Sequence, residues 1–333
     1  MTVPTNIFDQ QRRNLARTKM FMAGFVVFLV FLGLGADAFL YGSGGTPGFP
    51  ICTIAALLVG SFSAWWSVRG GDQMVLESTR ARPIDLNDPR QRMADNVVEE
   101  MAIAAGLPKP KVYLVPDADP NAFATGPSPD KASIALTSGL LERLNREELQ
   151  GVIGHEMSHV RNFDTRLMTV VAALAGAILL LSDWARRGLW WGGGRRSDNR
   201  EGGGGGLLGV LFFAFWIVSI ILAPIIAQIV AMAVSRDREY LADASGAELT
   251  RNPLGLASAL QKIDAAVEPT ASIKQGVAHL CIADPRGRKL NESEGAFANL
   301  FGTHPPIGKR VALLKEMAYQ RLGGSPVPPP AGT

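Results

Sequence analysis

Two long apolar runs near the start of the chain restrict the folds that this sequence can adopt. The first run covers residues 20–41, the second covers residues 49–68, and a glycine-rich turn separates them. Each run is close to the roughly 20 apolar residues that a helix needs to cross a bilayer. Charged residues make up only 19% of the chain, against about 25% in soluble globular proteins. We therefore expect a pair of membrane helices attached to more polar segments.

Positive charges flank this predicted hairpin on one side of the membrane. They lie before the first run and after the second, at Arg12, Arg13, Arg17, Lys19, Arg69, Arg80 and Arg82. The positive-inside rule then places both outer ends of the hairpin in the cytoplasm. A cleaved signal peptide is an alternative, because Ala36-Asp37-Ala38 resembles a small-x-small cleavage site. The first apolar run is longer than a usual signal-peptide core, which favours the hairpin.

Two later apolar runs leave their relation to the membrane open. Residues 167–181 could form a short span, a tilted interfacial helix or a buried core helix. Residues 207–234 are long enough for a tilted or kinked span, with the kink expected near Pro224. If both runs cross the bilayer, the arginine-rich segment 183–206 lies outside, against the charge rule. A shallow hairpin that never crosses is the other possibility.

The remaining segments have the patterns of a mainly helical domain with a small sheet. Helical spacing covers residues 95–105, and a proline-rich tail, predicted to be disordered, covers residues 323–333. Short β-like runs, separated by proline, aspartate and glycine, cover residues 111–115, 121–125 and 133–137. Further helices are expected from Asn145 to about Phe163 and over residues 235–250, 254–267 and 307–321.

The motif His-Glu-Met-Ser-His occupies residues 155–159, on a helix predicted to begin with a capping box between Asn145 and Glu148. Histidines four residues apart lie on one face of a helix, so both imidazoles can bind one metal ion. Glu156 would lie beside the metal, where it can take a proton from the attacking water and pass it to the leaving amine. The chain has only 4 histidines, so a chance match is rare. The motif therefore predicts a zinc site.

Glu239 and Asp243 are candidates for completing this site. A catalytic zinc ion usually has three protein ligands and one open position. The two carboxylates are four residues apart on a helix that continues from the fourth apolar run. Glu239 could reach the metal, while Asp243 could accept the second N–H of a zinc-binding histidine and fix its tautomer. A solvated charged face explains the same residues equally well.

Taken together, these features resemble the HtpX family of membrane zinc metallopeptidases, which is related to the CAAX prenyl proteases. The resemblance extends from residue 10 to residue 320, and the glycine- and arginine-rich segment 188–206 departs from it. Its elements are the hairpin, Pro120-Asn-Ala-Phe-Ala124, His155-Glu-Met-Ser-His159, two further apolar runs, Arg238-Glu-Tyr-Leu-Ala-Asp-Ala244, and Thr303-His-Pro-Pro306 with Arg310.

The resemblance implies a role for each matching residue. One zinc ion per chain would be held by His155, His159 and Glu239. The general base would be Glu156, and Asp243 would support the zinc site. The catalytic residues at the substrate cleft would include His304 and Arg310, and either His304 or Arg310 would be the second donor to the oxyanion beside the metal. The substrate backbone would pair with Asn121 and Ala122.

The implied fold is a mainly α zincin-like metallopeptidase domain with a small β-sheet, anchored by two to four transmembrane helices. A cytoplasmic segment, 1–19, would precede the hairpin, 20–68, and a tail, 323–333, would end the chain. The peptidase domain would have a first part, 69–166, with the zinc-binding helix and a second part, 235–322, with the third ligand. Two hydrophobic helices and the glycine- and arginine-rich loop would lie between these parts, in residues 167–234.

The implied activity is endopeptidic hydrolysis of membrane or misfolded proteins, in membrane-protein quality control and the stress response. The enzyme would be a multi-pass protein of the bacterial inner membrane, with its catalytic domain in the cytoplasm. Its partners would be protein substrates and the lipid bilayer, and a net charge of +3 gives no reason to expect nucleic acid.

Three other functions are weighed against this one. A CAAX-type prenyl protease would have a longer chain with more spans. A non-catalytic membrane scaffold would have no need of Glu156. A zinc transporter would place histidines and carboxylates within the membrane, whereas only Asp37 lies inside an apolar run.

Overall fold

The computed structural model describes residues 7–42, 49–175, 178, 236–266, 280–283 and 305–321. The helices are α1 (Ile7–Gly42), α2 (Ile51–Ser78), α3 (Pro89–Ala105), α4 (Ser138–Arg143), α5 (Arg146–Arg161), α6 (residues 164–175), α7 (Arg236–Thr250), α8 (Pro253–Asp264) and α9 (Ile307–Arg321). The strands are β1 (Arg82–Pro83), β2 (Lys111–Val115), β3 (Ala122–Thr125) and β4 (Ser133–Thr137). The glycine- and arginine-rich segment, the fourth apolar run and the C-terminal tail lie outside the described residues.

Helices α1 and α2 form the predicted hairpin. Gly33 lies against the backbone of Cys52 near the start of α2, and Gly60 lies against Leu29, so the helices run antiparallel and approach closely. Segments Gln11–Ala38 and Ile51–Ser78 are long and apolar enough to cross a membrane. The structure therefore confirms the pair of long apolar helices that the two runs predict.

Asp37 has a structural role that explains a charged residue inside an apolar run. Its Oδ1 accepts a hydrogen bond from the Cys52 amide, at 2.9 Å. Its Oδ2 accepts from the amide and the hydroxyl of Thr53, at 2.9 and 2.7 Å. The carboxylate therefore satisfies backbone N–H groups in the first turn of α2, which have no partner within their own helix.

Helix α6, the described part of the third apolar run, packs along the hairpin. Val170 and Leu174 are buried against Phe25 and Leu29 of α1. Gly71 of α2 lies against Thr169 of α6. Helix α6 thus contacts both candidate membrane helices.

A four-stranded sheet has the strand order β1-β2-β4-β3. Strands β2 and β4 are parallel, while β3 is antiparallel to β4 and β1 is antiparallel to β2. The bounds of β2 and β4 are those predicted from the sequence, and β3 begins one residue later, at Ala122. Strand β1 was not predicted, because two exposed residues that include a proline have no recognisable strand pattern.

The principal core lies between this sheet and helices α3, α5, α8 and α9. Helix α3 begins at Pro89, earlier than expected, because Asp88 accepts hydrogen bonds from the amides of Arg90 and Gln91. Helix α5 begins with the predicted capping box between Asn145 and Glu148. It is central to the fold, since it contacts α3, α7, α8 and β3.

Candidate metal centre

Helix α5 places His155 and His159 on the same face, as their spacing predicts. Both side chains are buried, and the two Nε2 atoms are 3.2 Å apart. Their rings meet edge to face, with centroids 4.8 Å apart. Two ring nitrogens at this separation point toward a common position.

Helix α7 brings Glu239 to the same position. Its Oε2 is 3.6 Å from Nε2 of His155, and its Oε1 is 3.4 Å from Nε2 of His159. Ligand atoms arranged tetrahedrally at 2.0–2.1 Å from a zinc ion would be about 3.3 Å apart. The three side chains have ligand atoms within 4.8 Å of one another, so the donor set and its spacing fit a metal ion.

Close contact between α5 and α7 makes this meeting possible. A Cβ atom at Gly246 would lie 2.7 Å from the backbone nitrogen of His155 and 3.0 Å from the carbonyl carbon of Gly154. Any side chain at position 246 would therefore push α7, which carries Glu239, away from α5.

We expect Gly246→Ala to weaken both metal binding and folding. Overpacking of this kind costs roughly 1–3 kcal/mol, and the displaced helix moves one ligand away from the other two. Gly308→Ala is the matched control, because a Cβ at that helical glycine meets nothing within 4 Å. Zinc affinity and the thermal midpoint should both fall in Gly246→Ala and stay at wild-type values in Gly308→Ala; equal behaviour of the two variants would contradict this packing argument.

The second nitrogen of each histidine lies beside a carboxylate. Nδ1 of His155 is 2.9 Å from Oδ1 of Asp243, and Nδ1 of His159 is 3.2 Å from Oδ2 of Asp164. A proton on Nδ1 donated to the carboxylate leaves the lone pair of Nε2 available for a metal. In the neutral form of each imidazole these contacts favour the tautomer with the proton on Nδ1, which is the one that metal binding through Nε2 requires.

The sequence analysis identified Asp243 but missed Asp164. Asp164 follows the motif by one turn, at the point where α5 has ended and α6 begins. Phe163 adopts a left-handed backbone conformation, with φ of 58°. The chain turns sharply at Phe163, and the side chain of Asp164 thereby lies beside His159. The sequence does show that Asp164 is the first carboxylate after the motif. Only the turn at Phe163, which the sequence does not predict, brings this carboxylate back to His159.

Arg310 of α9 is fully buried and contacts the carboxylates of the site. Its Nε and Nη2 donate to the two oxygens of Asp243, at 2.8 and 2.7 Å. Its Nη1 donates to the carbonyl oxygen of Ile282 at 2.9 Å and lies 3.4 Å from Oε2 of Glu239. The guanidinium therefore links Asp243, and through it His155, to the third candidate ligand.

The electrostatics of this buried site favour positive charge. Burial lowers the pKa of both histidines, but the nearby carboxylates outweigh it. Hydrogen bonds with Asp243 and Glu239 raise the pKa of His155, and those with Asp164 and Glu239 raise the pKa of His159 to about 10. Burial itself raises the pKa of Glu156, although His155 and His159 oppose this shift. The chemistry of the donor set thus suits a bound cation.

The other predicted site residues are placed as follows. Asn121 is buried, its Nδ2 donates to the carbonyl of Ala283, and the Ala122 carbonyl accepts from the Ile282 amide. The outer edge of β3 is thus paired with residues 281–283 of the same chain at these positions. A role of Asn121 and Ala122 in substrate binding stays a prediction. His304 lies outside the described residues.

A buried His-His-Glu centre on two packed helices, in a chain with a pair of membrane-length helices, has the features of a membrane-bound metallopeptidase. The family model described as Peptidase family M48 matches residues 88–318, and the chain belongs to this family. A family M48 peptidase acts on protein substrates with the help of a metal ion, so the chain is a metallopeptidase anchored to the membrane.

Similar proteins agree with this assignment. A Protease HtpX homolog of Caldanaerobacter subterraneus subsp. tengcongensis is 42% identical over 311 residues, which cover 93% of this chain and 98% of the relative. A Protease HtpX homolog of Levilactobacillus brevis is 44% identical over 313 residues, which cover 93% of this chain and 100% of the relative. The resemblance to the HtpX family is confirmed. In the comparison with solved structures, the crystal structure of S. mikatae Ste24p aligns with 92% of this chain and 67% of the Ste24p chain. The sequence identity is 15% and the TM-score is 0.45.

Proposed function

We propose that the chain is a zinc endopeptidase that cleaves membrane or misfolded proteins, in quality control and the stress response. The geometry of the metal centre, together with the family of the chain, supports this proposal. The ligand atoms of His155, His159 and Glu239 converge within 4.8 Å in a buried site, and the chain belongs to a peptidase family. Two histidines and one carboxylate are a ligand set found in zinc peptidases.

In this mechanism each residue of the chain has a separate task. Zinc, when bound, supplies the Lewis acidity that activates water near neutral pH and polarises the scissile carbonyl. Glu156 accepts the proton of the attacking water and delivers it to the leaving amine. Asp243 and Asp164 keep the Nδ1 protons of His155 and His159 in place, so both Nε2 atoms remain ligands.

For Arg310 we propose a positioning role. From the sequence, either His304 or Arg310 was expected to be the second donor to the oxyanion. Arg310 donates to Asp243 and Ile282, and it also lies 3.5 Å from Nδ1 of His155 and 3.4 Å from Oε2 of Glu239. These partners all belong to the interior of the site, so they orient the guanidinium inward. We therefore assign the stabilisation of the oxyanion to His304 and the support of Asp243 to Arg310.

The connection between the site and the hairpin supports substrates within or near the bilayer. Helix α6 begins with Asp164, next to His159, and packs against α1 of the hairpin through Val170 and Leu174. The metal centre therefore lies near the N-terminal end of α1, where Asn14 contacts Asp164.

We propose the domain organisation expected from the sequence. A peptidase domain is formed by residues 69–166 and 235–322 around the contact of α5 with α7. The hairpin, 20–68, anchors it, and the two hydrophobic helices expected in residues 167–234 lie outside the described residues except for 167–175 and 178. Segments 1–19 and 323–333 are its cytoplasmic start and its tail.

Removal of the metal tests the proposed activity. We expect the protein, purified in mild detergent, to hydrolyse an unfolded casein-like substrate, to lose this activity after dialysis against a strong chelator, and to recover it on addition of zinc. Hydrolysis that persists in protein shown to be free of metal would contradict a zinc mechanism.

We also predict that residues 69–166 face the cytoplasm of a multi-pass inner-membrane protein, because cations flank the hairpin on that side. In a background without Cys52 and Cys281, Ser128→Cys should resist a membrane-impermeant thiol reagent added to spheroplasts and react after lysis. Ser43→Cys, in the turn between the hairpin helices, is the control that should react from outside. Ready labelling of Ser128→Cys from outside would show that the orientation is inverted.

A further inference from the structure

Asn14, near the start of α1, contacts the surroundings of the metal centre although it is far from the motif in sequence. It precedes the first apolar run and is only 2% exposed. Its Nδ2 donates to Oδ1 of Asp164 at 2.7 Å and to the carbonyl oxygen of Asn162 at 2.9 Å. The partners lie at the C-terminal end of α5 and the start of α6.

The orientation of this amide follows from its partners. A carbonyl oxygen and a carboxylate oxygen can only accept hydrogen bonds, so the NH2 group of Asn14 must face them. A hydrogen bond to a carboxylate is stronger than one between neutral groups. Loss of the amide would therefore remove a defined, buried interaction with Asp164.

The two oxygens of Asp164 have separate partners. Oδ1 accepts from Asn14 and lies 3.3 Å from Nη1 of Arg238, while Oδ2 lies 3.2 Å from Nδ1 of His159. Asn14 thus holds one oxygen in place, and the other is thereby aimed at the ring of a candidate metal ligand.

A second side chain of α1, Gln11, also bonds to this end of α5, and Thr18 is buried on the same face of α1. Gln11, three residues before Asn14, donates from Nε2 to the carbonyl oxygen of Arg161 at 2.9 Å. Thr18, four residues after Asn14, is buried and donates to the carbonyl oxygen of Asn14 at 2.8 Å. Residues spaced in this way share one face of a helix. One face of α1 is therefore docked against the end of the helix that carries the motif.

We propose that Asn14 is a positioning residue of the metal centre, acting through Asp164 on His159. The membrane hairpin is then more than an anchor, because the start of its first helix completes the hydrogen-bonded support of a ligand. This inference rests on the proposed role of His159 as a zinc ligand. Loss of a carboxylate that contacts a zinc ligand, as Asp164 contacts His159, typically lowers metal affinity about 10- to 100-fold. Removal of Asn14 acts through that same contact, because it frees the carboxylate of Asp164 to move.

The test compares Asn14→Leu with Thr18→Val in the full-length protein. Both replacements keep the size of a buried side chain on the same face of α1, but only the first removes a bond to Asp164. The measurement is the rate at which zinc passes to a chromogenic chelator, together with the absorption spectrum of the cobalt-substituted protein. We expect zinc loss on the order of 10-fold faster or more in Asn14→Leu, with an altered cobalt spectrum, and wild-type behaviour in Thr18→Val.

A double-mutant cycle separates an effect through Asp164 from a general loosening of α1. In an Asp164→Asn background, Asn14→Leu should add little to the rate of zinc loss, because the two residues act in series. If the two substitutions instead multiply each other's effect on the rate of zinc loss, the inference is overturned. It is also overturned if Asn14→Leu loses zinc at the wild-type rate, or at the same rate as Thr18→Val. If Asn14→Leu does not fold, Asn14→Ser, which is too short to reach Asp164, replaces it in the same comparison. Absence of zinc from the wild-type protein would instead refute the proposed function.

Discussion

Glu156→Gln is expected to lower the hydrolysis of an unfolded protein substrate by a factor on the order of 10² or more. The replacement keeps the size of a side chain that is buried beside the metal ligands and leaves His155, His159 and Glu239 unchanged. Zinc should therefore stay bound. Only the carboxylate that accepts the proton of the attacking water is lost.

Glu239→Gln is the matched variant, because it makes the same chemical change at a proposed ligand. A neutral amide is a poor ligand for zinc, so this variant should lose both metal and activity. Self-cleavage during purification, if the wild-type protein shows it, should stop in both variants. Near-normal proteolysis by Glu156→Gln would show that another group serves as the base.

Arg310→Met is expected to produce the largest loss of stability, of about 3–5 kcal/mol in the free energy of unfolding. Arg310 is fully buried and donates to both oxygens of Asp243. Methionine fills similar space but leaves that buried carboxylate without its positive partner. The pKa of Asp243, which burial raises but Arg310 brings below its ordinary value, should then rise.

The neighbouring residue provides the control for this variant. Lys309 lies on the exposed side of α9, where a substitution usually changes stability by less than about 0.5 kcal/mol. The thermal midpoint in detergent should fall sharply in Arg310→Met and remain unchanged in Lys309→Met. Equal midpoints in the two variants would mean that Arg310 does not support Asp243.

Local sequence patterns predicted the elements of the site that depend on neighbouring residues. The capping box at Asn145 and Glu148 defines the start of α5, and the four-residue spacing then determines that His155 and His159 share a face. The strands β2 and β4 were predicted with correct bounds, because turn residues separate their apolar runs. Glu239 was recognised as a candidate from its helical spacing, and the resemblance to a family selected it.

Residues that depend on tertiary contacts were not predicted. Asp164 reaches His159 through the turn at Phe163, and Asn14 reaches Asp164 across 150 positions of the chain. The pairing of β3 with residues 281–283 also depends on a distant segment. No periodicity within a short window contains this information, since it arises only when α1, α5 and β3 are packed.

The zinc content of the purified protein tests the central claim most directly. The claim is that His155 and His159, with Glu239, hold a catalytic zinc ion. Metal analysis should find about one zinc ion per chain in the wild-type protein and almost none in His155→Ala or His159→Ala, because each variant loses one of three protein ligands. A content near one zinc ion per chain in either variant would contradict the account.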